Sequence, residues 1–196
     1  MTIVYSYKRN IYLNLTNRCS NRCCFCVRNQ KNALGDADSL WLREEPTVGQ
    51  VIEELDGWDM EGYDEIVFCG YGEPTERMDA VLEIAGIIHE RYGKRTRLNT
   101  NGLANLINGR DVVPDMLGRI DRVSISLNAP NAERYMEICE PEFGIGSYDS
   151  LMDFIKRCKE IIGNVTVTSV SGSITQAEEY ECERIARSLG VRYFSR

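Results

Sequence analysis

A chain of 196 residues has room for one domain, here taken as residues 1–196, and 43% hydrophobic beside 27% charged residues lets it bury a core and stay in solution. Its net charge of −7 lacks the basic footprint with which phosphate backbones are bound, which argues against nucleic acid as a partner. No apolar run reaches bilayer-spanning length, and Met1–Lys8 lacks the apolar stretch and small-residue cleavage site of a secretory leader, so a cytoplasmic protein with no membrane partner is expected.

Strand-like and helix-like runs alternate along the chain. Ile11–Leu15 opens as a strand and Val48–Asp56 follows as a helix. Glu65–Cys69 is an apolar, β-rich run stopped by Gly70. Met78–Arg91 carries Val81, Ile84, Ala85 and Ile88 at helical spacing. Thr96–Asn99 is the next strand, closed by the turn signal Thr100-Asn101-Gly102, and a weaker helical region leads to Asp121. Arg122–Leu127 alternates apolar and polar residues as a strand with one buried face does. Ala132–Cys139 and Tyr148–Ile162 read as helices around a Pro- and Gly-containing loop. Asn164–Val170 is a β-branched strand, Gln176–Leu189 a helix stopped by Gly190, and Val191–Phe194 a last short strand.

Six strand–helix steps, the last without its helix, predict an α/β fold with a parallel sheet and right-handed crossovers. Six are too few to close an eight-stranded barrel, so the expected form is a curved, open, partial barrel. Function in such sheets gathers at the carboxyl ends of the strands. The unusual residues fall there: Cys19, Cys23 and Cys26 after the first predicted strand, Gly70–Pro74 after the second, Thr100–Gly102 after the third, Ser126 and Asn128 at the fourth, and Ser169, Ser171 and Gly172 at the fifth.

Eight cysteines are many for a reducing compartment, and Cys19, Cys23, Cys24 and Cys26 crowd into one stretch while Cys69, Cys139, Cys158 and Cys182 stand alone. Cys-x3-Cys-x2-Cys can wrap three corners of an iron–sulfur cube. Ferredoxin-type clusters take four thiolates, so three would leave one iron with an open position. Cys24 points away from its neighbours and is read as non-ligating. Zinc would want four ligands, and no second Cys-x-x-Cys exists; His89, the one histidine, sits on a helix. A redox dithiol at Cys23 and Cys26 would leave Cys19 and the other strand-end motifs without a role. Arg18, Arg22, Arg28 and Lys31 around the cysteines suit either a solvated loop or an anionic cofactor.

These residues together resemble the radical S-adenosylmethionine superfamily. The resemblance runs from Tyr12 to the C-terminus and rests on the Cys19/Cys23/Cys26 spacing with Phe25 before the third cysteine, on Gly72-Glu73-Pro74 and on Asn101-Gly102. It implies a partial (β/α)6 barrel, a 4Fe–4S cluster on Cys19, Cys23 and Cys26, and S-adenosylmethionine on its open iron. Reductive cleavage would then give a 5′-deoxyadenosyl radical that takes hydrogen from a substrate. Implied cofactor-binding residues are Phe25 near the adenine, Tyr71, Gly72 and Glu73 at the methionine amine, Ser126 and Asn128 at the ribose or carboxylate, and Ser169 beside the adenine. Asn101 serves equally as an αL turn residue or a cofactor contact. Tyr71 replaces the first glycine of the usual Gly-Gly-Glu-Pro, and Ser126 and Asn128 stand where glycyl-radical activases carry Asp-x-Lys. In size the chain is similar to the small TatD-associated members.

The expected partners are an electron donor such as flavodoxin or ferredoxin and a small-molecule or peptidyl substrate. A partner protein, dimer mate or large substrate should close the open mouth of so short a barrel. Alternatives are an activase acting on a partner protein and a non-catalytic iron–sulfur or zinc redox protein. Arg192, Tyr193 and Arg196 suit substrate contact or a frayed terminus alike. No catalytic acid, base or relay residue is singled out.

Overall fold

The computed structural model describes residues 1–31 and 33–196. Seven strands form one sheet in chain order: β1 (Val4–Tyr7), β2 (Asn10–Leu13), β3 (Glu65–Phe68), β4 (Arg95–Thr100), β5 (Arg122–Ser126), β6 (Val165–Ser169) and β7 (Arg192–Ser195). From β2 to β7 every pairing is parallel, and the sheet stays open. The expected α/β architecture is therefore present, with one strand more than the sequence suggested. β1 pairs antiparallel with β2 across a tight hairpin at Lys8 and Arg9, and Lys8 takes φ 56°.

The helices are α1 (Val48–Asp56), α2 (Met78–Ile87), α3 (Ala104–Asn108), α4 (Val113–Met116), α5 (Ala132–Cys139), α6 (Ser147–Ile161) and α7 (Gln176–Ser188). Capping boxes start two of them, Thr47 with Gln50 on α1 and Thr175 with Glu178 on α7. α2 is shorter than its apolar period suggested: the chain widens into a π-turn over Ile88–Tyr92 before Gly93 ends it.

Strand parity divides the sheet into two chemically distinct faces. Ile11, Leu13, Ile66, Phe68, Leu98, Val123, Ile125, Val165 and Val167 lie on the helix side and are buried. On α6, Leu151, Phe154, Ile155 and Cys158 recur at helical spacing and are fully buried against that face. Each large side chain among them contributes on the order of 1.5–3 kcal/mol. The opposite face carries Tyr12, Arg97, Asn99, Ser124, Thr166 and their neighbours, polar and partly open to solvent. The main hydrophobic core thus lies behind the sheet; on the concave side a smaller cluster of Tyr5, Leu40 and Tyr71 packs against Tyr12 at one edge, and the rest of that face is left for chemistry.

Gly102 shows how tightly the two layers meet. Its φ is +82°, and a Cβ there would lie 2.3 Å from Leu151 Cδ1 and 2.8 Å from Ile125 Cγ2. Gly102→Ala is expected to cost about 2–4 kcal/mol, combining left-handed strain with overpacking, and urea unfolding of the single variant measures it. A loss below about 1 kcal/mol would show that α6 yields to the added methyl.

Candidate functional site

The loop after β2 crosses the carboxyl ends of the strands and is fixed at both flanks. On its entry side, Arg77 Nη1 donates to Leu15 O at 3.1 Å and to Pro46 O at 2.6 Å, and the Asn17 side chain exchanges two hydrogen bonds with the backbone of Leu42. On its exit side it runs antiparallel to the end of α5. Arg22 N donates to Cys139 O, Cys24 N to Ile138 O, and Glu142 N to Ser20 O, while Asn21 Nδ2 donates to the buried Tyr135 hydroxyl at 3.0 Å. The three motif cysteines are half-buried and Cys24 is exposed, as expected for a residue outside the set.

All eight cysteines are free. Burial pushes the Cys19 thiol up to about 12, and the Glu73 carboxylate adds to the effect. Cys23 is raised further, first by its hydrogen bond with the Cys139 thiol and then by burial. A dithiol redox centre needs the opposite, a thiol pKa brought down toward neutrality. A metal centre supplies its own positive charge and deprotonates its thiols on binding. Among the described residues no three His, Cys, Asp or Glu side chains converge as the ligands of a single ion would. His89 lies elsewhere, its Nε2 2.9 Å from Asp121 Oδ2. The raised thiols do not suit a dithiol redox pair, and three free thiols along one pinned loop are one short of the four that a ferredoxin-type cluster takes.

The Gly70–Pro74 turn meets this loop backbone to backbone. A Cβ on Gly72 would lie 2.3 Å from Thr16 O and 2.5 Å from Arg18 O, and Glu73 N donates to Arg18 O at 2.8 Å. Tyr71 is buried, with its hydroxyl donating to Lys31 O and its ring edge-on to Trp41 at 5.2 Å. Its side chain is thus committed to packing and to the Lys31 carbonyl.

Glu73 is a buried strut. Oε1 accepts from Thr75 N at 3.2 Å, Thr75 Oγ1 at 2.8 Å and Thr100 Oγ1 at 2.7 Å, while Oε2 accepts from Asn101 N at 2.6 Å. Burial raises its pKa, against these hydrogen bonds, which favour the anion. Asn101 continues the chain of contacts: Oδ1 accepts from Leu103 N at 2.9 Å in an Asx turn and Nδ2 donates to Ser20 Oγ at 3.0 Å. Asn101 is not the αL residue of the turn, a place taken by Gly102 at φ 82°; its side chain instead braces the turn and the cysteine loop. Glu73 and Asn101 lock the ends of β3 and β4 to the cysteine loop.

At the end of β5, Ser126 Oγ accepts from Arg196 Nη2 at 3.1 Å. Asn128 is buried at φ 60°, with Nδ2 3.5 Å from Cys139 Sγ and Oδ1 lacking a partner. Ser169 departs from expectation. Parity turns it to the helix side, where its hydroxyl pairs with Tyr193, and it is Thr168 that faces the concave side with Oγ1 unpartnered. Asn99 Oδ1 is likewise buried and unpartnered. Orphaned buried acceptors are costly, and three of them around one rim suit a polar ligand. Phe25 is half-buried against the core beside the cysteines. Of the basic residues near the loop, Arg18 is already held by Glu45 at 2.8 Å and Arg28 by Asn17 O, which favours a structural role for both.

Sequence reasoning did not find Thr168, Asn99 or the Cys23–Cys139 contact. Alternation along β6 could have preferred Thr168 over Ser169; the contact between residues 23 and 139 leaves no local signal.

Comparison with known proteins bears on the family and the fold. The model of the Radical SAM superfamily matches residues 13–181. The chain is 30% identical over 124 residues to the dual-specificity RNA methyltransferase RlmN of Bdellovibrio bacteriovorus, covering 59% of this chain and 28% of that protein. It is 28% identical over 142 residues to the GTP 3′,8-cyclase of Saccharophagus degradans, covering 70% and 39%. In structure it is similar to Streptococcus suis SuiB bound to precursor peptide SuiA, with TM-score 0.71 and 17% identity over 98% of this chain and 40% of that one. The chain therefore spans well under half the length of these relatives. An RNA methyltransferase among them weakens the expectation that nucleic acid is not a partner. No helix among the described residues is long and apolar enough to cross a membrane.

Proposed function

The chain belongs to the Radical SAM superfamily, and from that premise we propose that it is a radical enzyme whose Cys19, Cys23 and Cys26 hold a 4Fe–4S cluster. Bound there with S-adenosylmethionine, the cluster would supply one-electron cleavage to a 5′-deoxyadenosyl radical that abstracts hydrogen from the substrate. The observation that carries this reading is the backbone seam between the cysteine loop and the Gly72-Glu73-Pro74 turn, closed too tightly for any side chain at Gly72.

The protein's part is to orient and enclose. Tyr71 and Gly72 present backbone polar groups to the amino-acid end of the cofactor, Phe25 offers a ring to the adenine, and Ser126, Asn128 and Thr168 supply polar atoms at the strand ends. Glu73 and Asn101 act as positioning residues, holding the turn and the cysteine loop in register. Ser169 supports from behind through Tyr193. A flavodoxin- or ferredoxin-type donor would deliver the electron. The open concave side implies that the substrate, small, peptidyl or RNA, or a partner protein closes the site and keeps water from the reacting carbon.

The test is anaerobic reconstitution with iron and sulfide, then addition of S-adenosylmethionine and dithionite. The native chain is expected to show the cluster's visible absorption and release 5′-deoxyadenosine; Cys19→Ala, Cys23→Ala and Cys26→Ala should each abolish release. Equal product from any one of them would remove that cysteine from the ligand set. No cluster in the native chain would overturn the reading.

A further inference from the structure

We propose that the concave face of the sheet binds an anionic group of the substrate, a phosphate or a carboxylate, between Arg97 and Arg196. The inference rests on the reading above only in taking that face as the substrate chamber.

The chain carries a net charge of −7, yet its concave face is cationic. Register and alternation place Arg95, Arg97, Arg122 and Arg192 on that face, and Glu65 is the one carboxylate that the described strands contribute there. Glu65 is already divided, with Oε1 3.0 Å from Arg97 Nη1 and Oε2 3.6 Å from Arg122 Nη1. Two guanidinium groups share one carboxylate, and Arg97 Nε and Arg122 Nε remain buried without acceptors.

Arg196 adds a further positive charge. Its guanidinium turns back over the sheet, lies near Cys69 and Tyr12 and close enough to Arg97 for the two positive charges to interact, and donates to Ser126 Oγ. It makes no ion pair among the described residues. Crowding by the surrounding protein, with the Arg97 charge added, draws its pKa down, while the residue keeps solvent-exposed surface through which an anion can reach it. Two guanidinium groups left with spare donors on a partly desolvated surface are the arrangement that a phosphate or carboxylate neutralises, through charge-assisted and often bidentate hydrogen bonds. The pair also lies where such an anchor is useful. Cys69 immediately precedes the Gly70–Pro74 turn and Ser126 ends β5, so an anion held there sits between the floor of the sheet and the cofactor rim.

The test is calorimetric titration of inorganic phosphate, pyrophosphate and malonate into the reconstituted chain with S-adenosylmethionine present, and in parallel into the chain without cluster. At least one anion is expected to bind, to weaken as salt rises, to weaken about tenfold or more in Arg196→Gln, and to lose no more than about threefold in Arg196→Lys. Preference for phosphates over malonate, or the reverse, identifies the anion class. Arg196 follows the last strand and is exposed, so the variants should fold; matching far-ultraviolet spectra check this. No binding of any anion by the native chain at about 10 mM would overturn the proposal. So would equal binding by Arg196→Gln, or a variant that loses S-adenosylmethionine affinity and keeps the anion, which would assign the guanidinium to the cofactor instead. Because the cluster-free titration stands apart from cluster assembly, failure of the radical chemistry and failure of the anion site are separately visible.

Discussion

Glu73→Ala is expected to destabilise the cluster-free chain by about 3 kcal/mol and to lower 5′-deoxyadenosine release at least about tenfold after reconstitution. The stability loss follows from four donors left facing a void: Thr75 N, Thr75 Oγ1, Thr100 Oγ1 and Asn101 N. The hydroxyls can rotate elsewhere and part of the cost of burying a carboxylate is recovered, which keeps the net figure well below four full hydrogen-bond penalties. The functional loss follows from what the strut holds, since Asn101 ties onward to Ser20 in the cysteine loop. Glu73→Gln separates charge from geometry. Its carbonyl can keep the three contacts of Oε1, but its amide opposes Asn101 N–H, a loss of about 1–2 kcal/mol. Urea unfolding of the cluster-free variants decides the matter. A carboxylate whose only role was to hold the cofactor would leave cluster-free stability unchanged when removed.

Much of this site was legible because strand ends in a parallel sheet are marked by turn chemistry, and Cys, Gly, Asn and Ser residues gather there. The helices and the strands from β2 onward were readable from apolar periodicity. β1 was not. Its hairpin turns on Lys8 at φ 56°, followed by Arg9, without the Asn-Gly or Asp-Gly that advertises such a turn, and Asp64 secures Arg9 from a distant part of the chain. The side on which Ser169 falls was lost for a different reason. A strand end marks a polar residue without marking its face; the alternation Val165-Thr166-Val167-Thr168 sets the face, and pairing of Thr168 with Ser126 on β5 and Phe194 on β7 matches it. The bonding of Glu73 was hidden because it depends on donors 27 and 28 residues away. Composition concealed the cationic concave face altogether: its arginines are spread over β4, β5 and β7, and a net charge of −7 dilutes them.

Outside the three cysteines, Gly72→Ala should be the most damaging substitution that leaves the sheet intact, with 5′-deoxyadenosine release lost by at least about a hundredfold. The new Cβ would meet Thr16 O at 2.3 Å and Arg18 O at 2.5 Å, and both obstacles are backbone, which cannot rotate aside. The turn and the cysteine loop must part, breaking the 2.8 Å bond from Glu73 N to Arg18 O and displacing the three cysteines relative to the strand ends. Gly86→Ala serves as the control. That glycine lies within α2 with open space where its Cβ would stand, and alanine there should be neutral or stabilising by up to about 1 kcal/mol. Circular dichroism, iron content and S-adenosylmethionine binding on the two variants separate the possibilities. A Gly72→Ala chain with native spectrum, native iron and undiminished product release would show that the seam between turn and loop is packing alone, and the site would then have to be built from the cysteines and β5 without it. Loss of S-adenosylmethionine binding with iron retained would assign the turn to the cofactor; loss of both would show that the turn also fixes the ligand loop.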